Sequence, residues 1–219
     1  MIELEHADWH AFNVAVHVTA GALGLLVGIA PMATEKGAAR HRLFGQAFVP
    51  CAALALLTAT VGVVFFDPPP ALIAATLAAG YQFVGSLRAL RLIDRGPGLF
   101  DAALAVACLA ACAWLVAMMS GGTRSWPPAL GYGTAGFLSL IALYDLSRHA
   151  WARTWLAHAR PLDHGLKMTS AYFAMLAAGA GNVLRDLQPL SQIGPTVVGL
   201  VVATLLAVSY LRKGKSVGN

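Results

Sequence analysis

The chain predicts an all-α integral membrane protein, a single domain of seven transmembrane helices over residues 1–219, and three observations predict it. The 219 residues are 58% hydrophobic and only 11% charged, with a mean hydropathy of +0.68, where a soluble domain carries about 25% charged residues. Seven apolar stretches, each near the roughly 20 residues that cross a hydrocarbon core, are separated by short runs of turn and breaker residues. The stretches are continuous Ala/Leu/Val runs rather than the short alternating segments of a transmembrane strand.

Taken in order, the spans fall at about 9–32, 43–66, 69–92, 99–120, 127–147, 164–186 and 192–211. Asp67-Pro68-Pro69-Pro70 ends the second, Arg95-Gly96-Pro97-Gly98 separates the third and fourth, Trp126-Pro127-Pro128 precedes the fifth, and Gln188-Pro189 precedes the seventh. The fifth connection, Ser147 to Asp163, carries Trp151 and Trp155 one turn apart with basic residues beside them, which predicts a short interfacial helix on the inner leaflet.

Charge sets the orientation. Lys36, Arg40 and Arg42, then Arg88, Arg91 and Arg95, then Arg148, Arg153 and Arg160, then Arg212, Lys213 and Lys215 all fall on one side, whereas the other holds Arg124 and Arg185 with the acidic start Glu3, Glu5 and Asp8. The positive-inside rule places the amino terminus outside and the carboxyl terminus inside, in what is expected to be a bacterial inner membrane. The net charge of +5 and pI near 9.4 thus report topology and attraction to the lipid bilayer, not a nucleic-acid partner. The acidic start lacks the positive region of a cleavable signal peptide. Cys51, Cys108 and Cys112 all lie within spans, which excludes an extracellular disulfide framework and assigns them to packing.

The first span carries the leading candidate residues. His10 and His17 lie about 20° apart on a helix, with Asn13 beside them, and the stripe continues through Gly21, Gly24 and Gly28. Glycines at that spacing let a neighbouring backbone approach, so His17 is expected to look inward and His10 to sit at the interface. A buried imidazole in a membrane marks a functional site. In the sixth span His164, Met168, Ala171, Met175 and Asn182 share a face, and Asn182 is the expected partner of His17. His41 and His164 each introduce a helix, where free amides favour a neutral imidazole, and together they form a candidate metal or haem ligand pair. Asp101 is expected to cap the fourth helix, and Asp145 to pair with a loop arginine. Tyr81, Gln82 and Tyr172 complete the expected polar interior.

His17 with its glycine-rich stretch, the loop His41-Arg42-Leu43-Phe44-Gly45, and the run from His164 through Met168 and Tyr172 to Asn182 resemble a bacterial family of predicted polytopic membrane proteins of unknown function, over most of the chain. The resemblance implies a seven-helix fold and singles out His17, His41, Arg42, Gly45, His164 and Asn182; it implies no activity. Better-known seven-helix families fit less well. Residues 192–211 lack the lysine of a microbial rhodopsin and the histidine of an adiponectin-receptor or ceramidase-type zinc hydrolase. Cytochrome b561-like proteins place histidine pairs at both membrane faces, whereas the outer histidines here fall only on the first helix.

Two function classes follow. The first is a redox protein that binds haem b or another transition metal through His17, or through His41 and His164, and exchanges electrons with a quinone or a redox partner. The second is a non-enzymatic transporter, receptor or small-molecule- or proton-binding protein that uses the polar interior. The redox reading stands first because histidines are enriched and buried carboxylates are few.

Overall fold

The computed structural model describes residues 2–121 and 127–216, with side chains described over 7–121, at 127 and over 130–212. Seven long helices follow in order: α1 (Ile2–Ala33), α2 (Ala39–Phe65), α3 (Pro70–Arg91), α4 (Leu99–Ser120), α5 (Pro128–Ser147), α6 (Arg160–Val183) and α7 (Leu190–Ser216). No strand occurs among the described residues. Among the described residues, five segments are long and apolar enough to span a bilayer, namely Ala7–Ala33, Ala39–Phe65, Pro70–Arg91, Leu99–Ser120 and Leu190–Arg212. The protein is therefore an all-α integral membrane protein. Arg124 and Trp126 lie outside the described residues, as do the side chains of Glu3, Glu5, Lys213 and Lys215.

Local chemistry sets the helix ends. Prolines open α3 and α5 and stand second in α6, where the missing N–H is no loss and the fixed φ suits a first turn. The Gly98 N–H donates to Asp101 Oδ2 at 2.9 Å, so Asp101 closes the first turn of α4 as expected. The same carboxylate accepts a bidentate pair from Arg88, at 3.0 and 2.8 Å. Gly37, at φ +81°, allows the reversal between α1 and α2.

The chain divides into two compact units, Met1–Thr76 and Leu77–Asn219, with the division inside α3. In the first unit α1 packs on α2 through the predicted stripe. A Cβ built on Gly21 would stand 4.0 Å from that of Ala55, and one on Gly24 would stand 3.4 Å from that of Cys51. Lys36 Nζ donates to the carbonyls of Pro31 and Met32, both at 2.8 Å, which satisfies orphan groups at the end of α1 and places a cation at the negative end of its dipole.

In the second unit α4 packs on α5 and α6 on α7. Tyr81 of α3, Ala105, Cys108 and Cys112 of α4, and Ala135, Leu138 and Ala142 of α5 form a buried core. The two cysteines are free and serve there as small packing residues. The α6–α7 contact is close. A methyl group on Gly199 would come within 2.7 Å of the Phe173 side chain.

Two expectations need correction. The segment before α6 is not a separate short helix with both tryptophans at its surface. One helical turn, Ala152–Thr154, runs into a π-helical turn, Trp155–Ala159, and Trp155 is 0% exposed. Its indole has a buried carboxylate to bond, which outweighs an interfacial position. Helix α6 also begins at Arg160 rather than 164, so His164 stands a turn inside it, away from the free amides of its start.

A buried ion-pair ring as the candidate functional site

Four charged side chains from α5, its C-terminal cap and α6 meet out of solvent. Asp145, Arg148, Asp163 and Lys167 are 3%, 2%, 5% and 3% exposed. Arg148 bridges the two carboxylates, 3.0 Å from Asp145 Oδ1 and 2.8 Å from Asp163 Oδ2. Lys167 bridges them from the other side, 3.1 Å from Asp163 Oδ1 and paired with Asp145 Oδ1. The result is a closed ring of two anions and two cations. Its formal charge is zero, which is how four ions can be held where each alone would cost several kcal/mol to desolvate.

Aromatic groups complete the surroundings. Tyr81 donates its hydroxyl to Asp145 Oδ2 at 2.6 Å, and the Trp155 indole donates to Asp163 Oδ2 at 3.2 Å. The Arg148 guanidinium lies 4.8 Å from the Trp155 ring centre, and Lys167 Nζ lies 5.6 Å from that of Tyr144. Gly85 of α3 gives the lysine stem its room, since a Cβ there would stand 3.3 Å from Lys167 Cδ. The π-turn that delivers Trp155 is a feature often found at functional sites.

The residues singled out by sequence fall in several places. His17 Nδ1 donates to the carbonyl of Ala55 at 2.9 Å and lies 3.2 Å from Thr58 Oγ1; Asn13 donates to the carbonyl of Thr58 at 3.1 Å. Both side chains thus bond to α2. His10 is exposed and stacks edge-on against Phe66 at 4.4 Å. His41 Nδ1 donates to the carbonyl of Pro31 at 3.0 Å, and Arg42 donates to that of Gly37 at 3.1 Å, so both hold the α1–α2 turn. In the second unit His164 Nδ1 lies 2.7 Å from Ser86 Oγ, and Tyr172 is buried with its ring edge-on to Phe173 at 5.3 Å. Gln82 is 2% exposed and its Oε1 has no partner among the described residues. Asn182 is exposed and donates to the carbonyl of Ala178 in its own helix at 3.0 Å. Among the described residues no three His, Cys, Asp or Glu side chains gather where they could hold a metal ion.

Sequence reasoning paired Asp145 with a loop arginine, and Arg148 is that arginine. It did not find Lys167, Asp163 or the ring. The available signal was spacing: Asp145 and Arg148 stand at i,i+3 and Asp163 and Lys167 at i,i+4, so each pair shares a helical face. Fold and site together define an all-α integral membrane protein with a charge-neutral ion-pair ring buried between α5 and α6. No protein-family model, curated protein or solved structure matches the chain.

Proposed function

We propose that this is a non-enzymatic, proton-handling membrane protein, a carrier or receptor whose working centre is the ring of Asp145, Arg148, Asp163 and Lys167. The observation that carries the reading is the ring's burial. Ionisable groups inside a membrane protein are costly and mark functional sites, and a buried ion pair is weak evidence for stability because well-packed apolar residues can often replace it. The four side chains fill one another's hydrogen bonds, so a proton is the species such a centre exchanges most readily. The two carboxylates are not equivalent. Asp145 bonds Tyr81, whose hydroxyl both donates and accepts, whereas Asp163 bonds the Trp155 indole, which only donates. A proton taken up by the ring leaves Arg148 and Lys167 facing one anion instead of two. That imbalance loosens the contact between α5 and α6. All seven helices span the membrane in this reading, amino terminus outside, in a bacterial inner membrane.

Infrared difference spectra of the reconstituted chain test the proposal. As pH is lowered, a protonated-carboxyl band should rise that is absent when Asp145→Asn and Asp163→Asn are combined. Ring carboxylates that stay ionised until the protein unfolds overturn it.

A second reading, a haem- or metal-binding redox protein with a quinone or redox partner, rests on a different observation. His17 and His41 each give their Nδ1 proton to a backbone carbonyl, the tautomer that orients Nε2 as a ligand. A Soret band or stoichiometric metal in the purified protein, lost on substitution of His17 or His41, supports it; a colourless, metal-free and folded preparation sinks it.

A further inference from the structure

We infer that His149, in the connection between α5 and α6, is a pH-operated clasp that holds the connection between α3 and α4 only while its imidazole carries two protons. Its Nδ1 lies 3.1 Å from the carbonyl oxygen of Leu146, and its Nε2 lies 3.3 Å from that of Gly98. Carbonyl oxygens only accept, so both contacts are hydrogen bonds only when both ring nitrogens donate, and a histidine with two N–H groups is an imidazolium. A neutral ring makes one of the two bonds and turns a lone pair on the other oxygen.

The surroundings suit the charged form. Leu146 stands in the last turn of α5, at the negative end of the helix dipole, where a cation is stabilised. Gly98 precedes the first residue of α4, and its carbonyl also accepts the N–H groups of Asp101 and Ala102, so the imidazolium reaches the first turn of that helix. The two connections meet at a second point. A Cβ on Gly96 would stand 2.7 Å from that of Ala152, an approach that glycine permits.

No neighbouring charge takes over the task. His149 pairs with no carboxylate among the described residues. Asp101 is engaged by Arg88 and by the Gly98 N–H, Arg148 belongs to the ring, and Asp94, Arg95 and Arg153 are exposed. His149 is itself exposed, so it exchanges protons with water, and histidine is the side chain whose charge ordinarily changes between about pH 5 and pH 8. The clasp closes as pH falls and opens as pH rises. That is the reverse of the ring, where an added proton loosens α5 against α6, and the clasp does not depend on the ring taking one up.

Hydrogen–deuterium exchange of the full chain in lipid nanodiscs tests the clasp, read at residues 94–101 and corrected for the pH dependence of free-amide exchange. Wild-type protection there should be about tenfold higher near about pH 5.5 than near about pH 8, the scale of one hydrogen bond from a charged donor. His149→Gln donates from a single nitrogen and does not titrate, so its protection should be the same at both pH values. Equal wild-type protection at the two pH values overturns the proposal, and so does a pH step that persists in His149→Gln. Failure of the ring reading is seen separately, because titration of the ring would loosen α5 and α6 in the opposite pH direction.

Discussion

Lys167 of α6 is ion-paired with Asp145 of α5, 22 positions away in sequence, and both side chains are buried. The ring they belong to makes its members unequal to the sum of their parts. Lys167→Met alone leaves two buried carboxylates facing one arginine, and should cost about 3–5 kcal/mol. Adding Asp145→Asn restores neutrality, because the Arg148–Asp163 pair at 2.8 Å survives by itself. The double variant should therefore lose less than the two single losses combined, by about 1 kcal/mol or more. Denaturant unfolding in detergent micelles measures all three, and additive losses would mean that the ring is not one unit.

Gln82→Leu should leave stability unchanged or raise it by about 1 kcal/mol, because the substitution removes a buried carbonyl oxygen that has no donor. A fall in the thermal midpoint would show that Gln82 Oε1 has a partner in the membrane-embedded protein, and hydrogen exchange along α3 would locate it.

His17→Ala should cost only about 1 kcal/mol if the imidazole is structural. Its partners are not orphaned by the change, since Thr58 Oγ1 also bonds the carbonyls of Leu54 and Ala55, at 2.8 and 2.9 Å. A much larger loss accompanied by the disappearance of a visible absorption band would favour the haem reading over a helix–helix contact.

Gly199→Ala should destabilise the α6–α7 pair by about 1–3 kcal/mol, since the new methyl group would stand 2.7 Å from the Phe173 side chain. Gly194→Ala on the same helix meets nothing within 4 Å and should be neutral or mildly stabilising, as alanine favours a helix over glycine. Similar thermal midpoints for the two variants would refute close packing at Gly199.

The segmentation was legible in the sequence because it is local chemistry. Apolar runs of spanning length, Pro68 to Pro70, Pro97 and Gly98, and Pro127 and Pro128 fix where helices stop whatever packs around them, and the glycine stripe of α1 marks its packing face. The capping role of Asp101 was legible for the same reason, since it acts within three residues. The partner of a buried side chain is not local. His17 was expected beside Asn182, yet its bonds run to Ala55 and Thr58, and Asn182 turns to its own helix.

Sequence by itself therefore determined an all-α membrane protein, its helix boundaries to within four residues except at the start of α1 and the end of α7, and the surplus of arginine in alternate connections. Tertiary structure alone decided which charges are buried together. An isolated Asp145 or Lys167 in an apolar helix is a liability of several kcal/mol, and only the approach of α5 to α6, with Arg148 at the C-terminal cap of α5 and Asp163 in the first turn of α6, converts two such liabilities into a neutral ring.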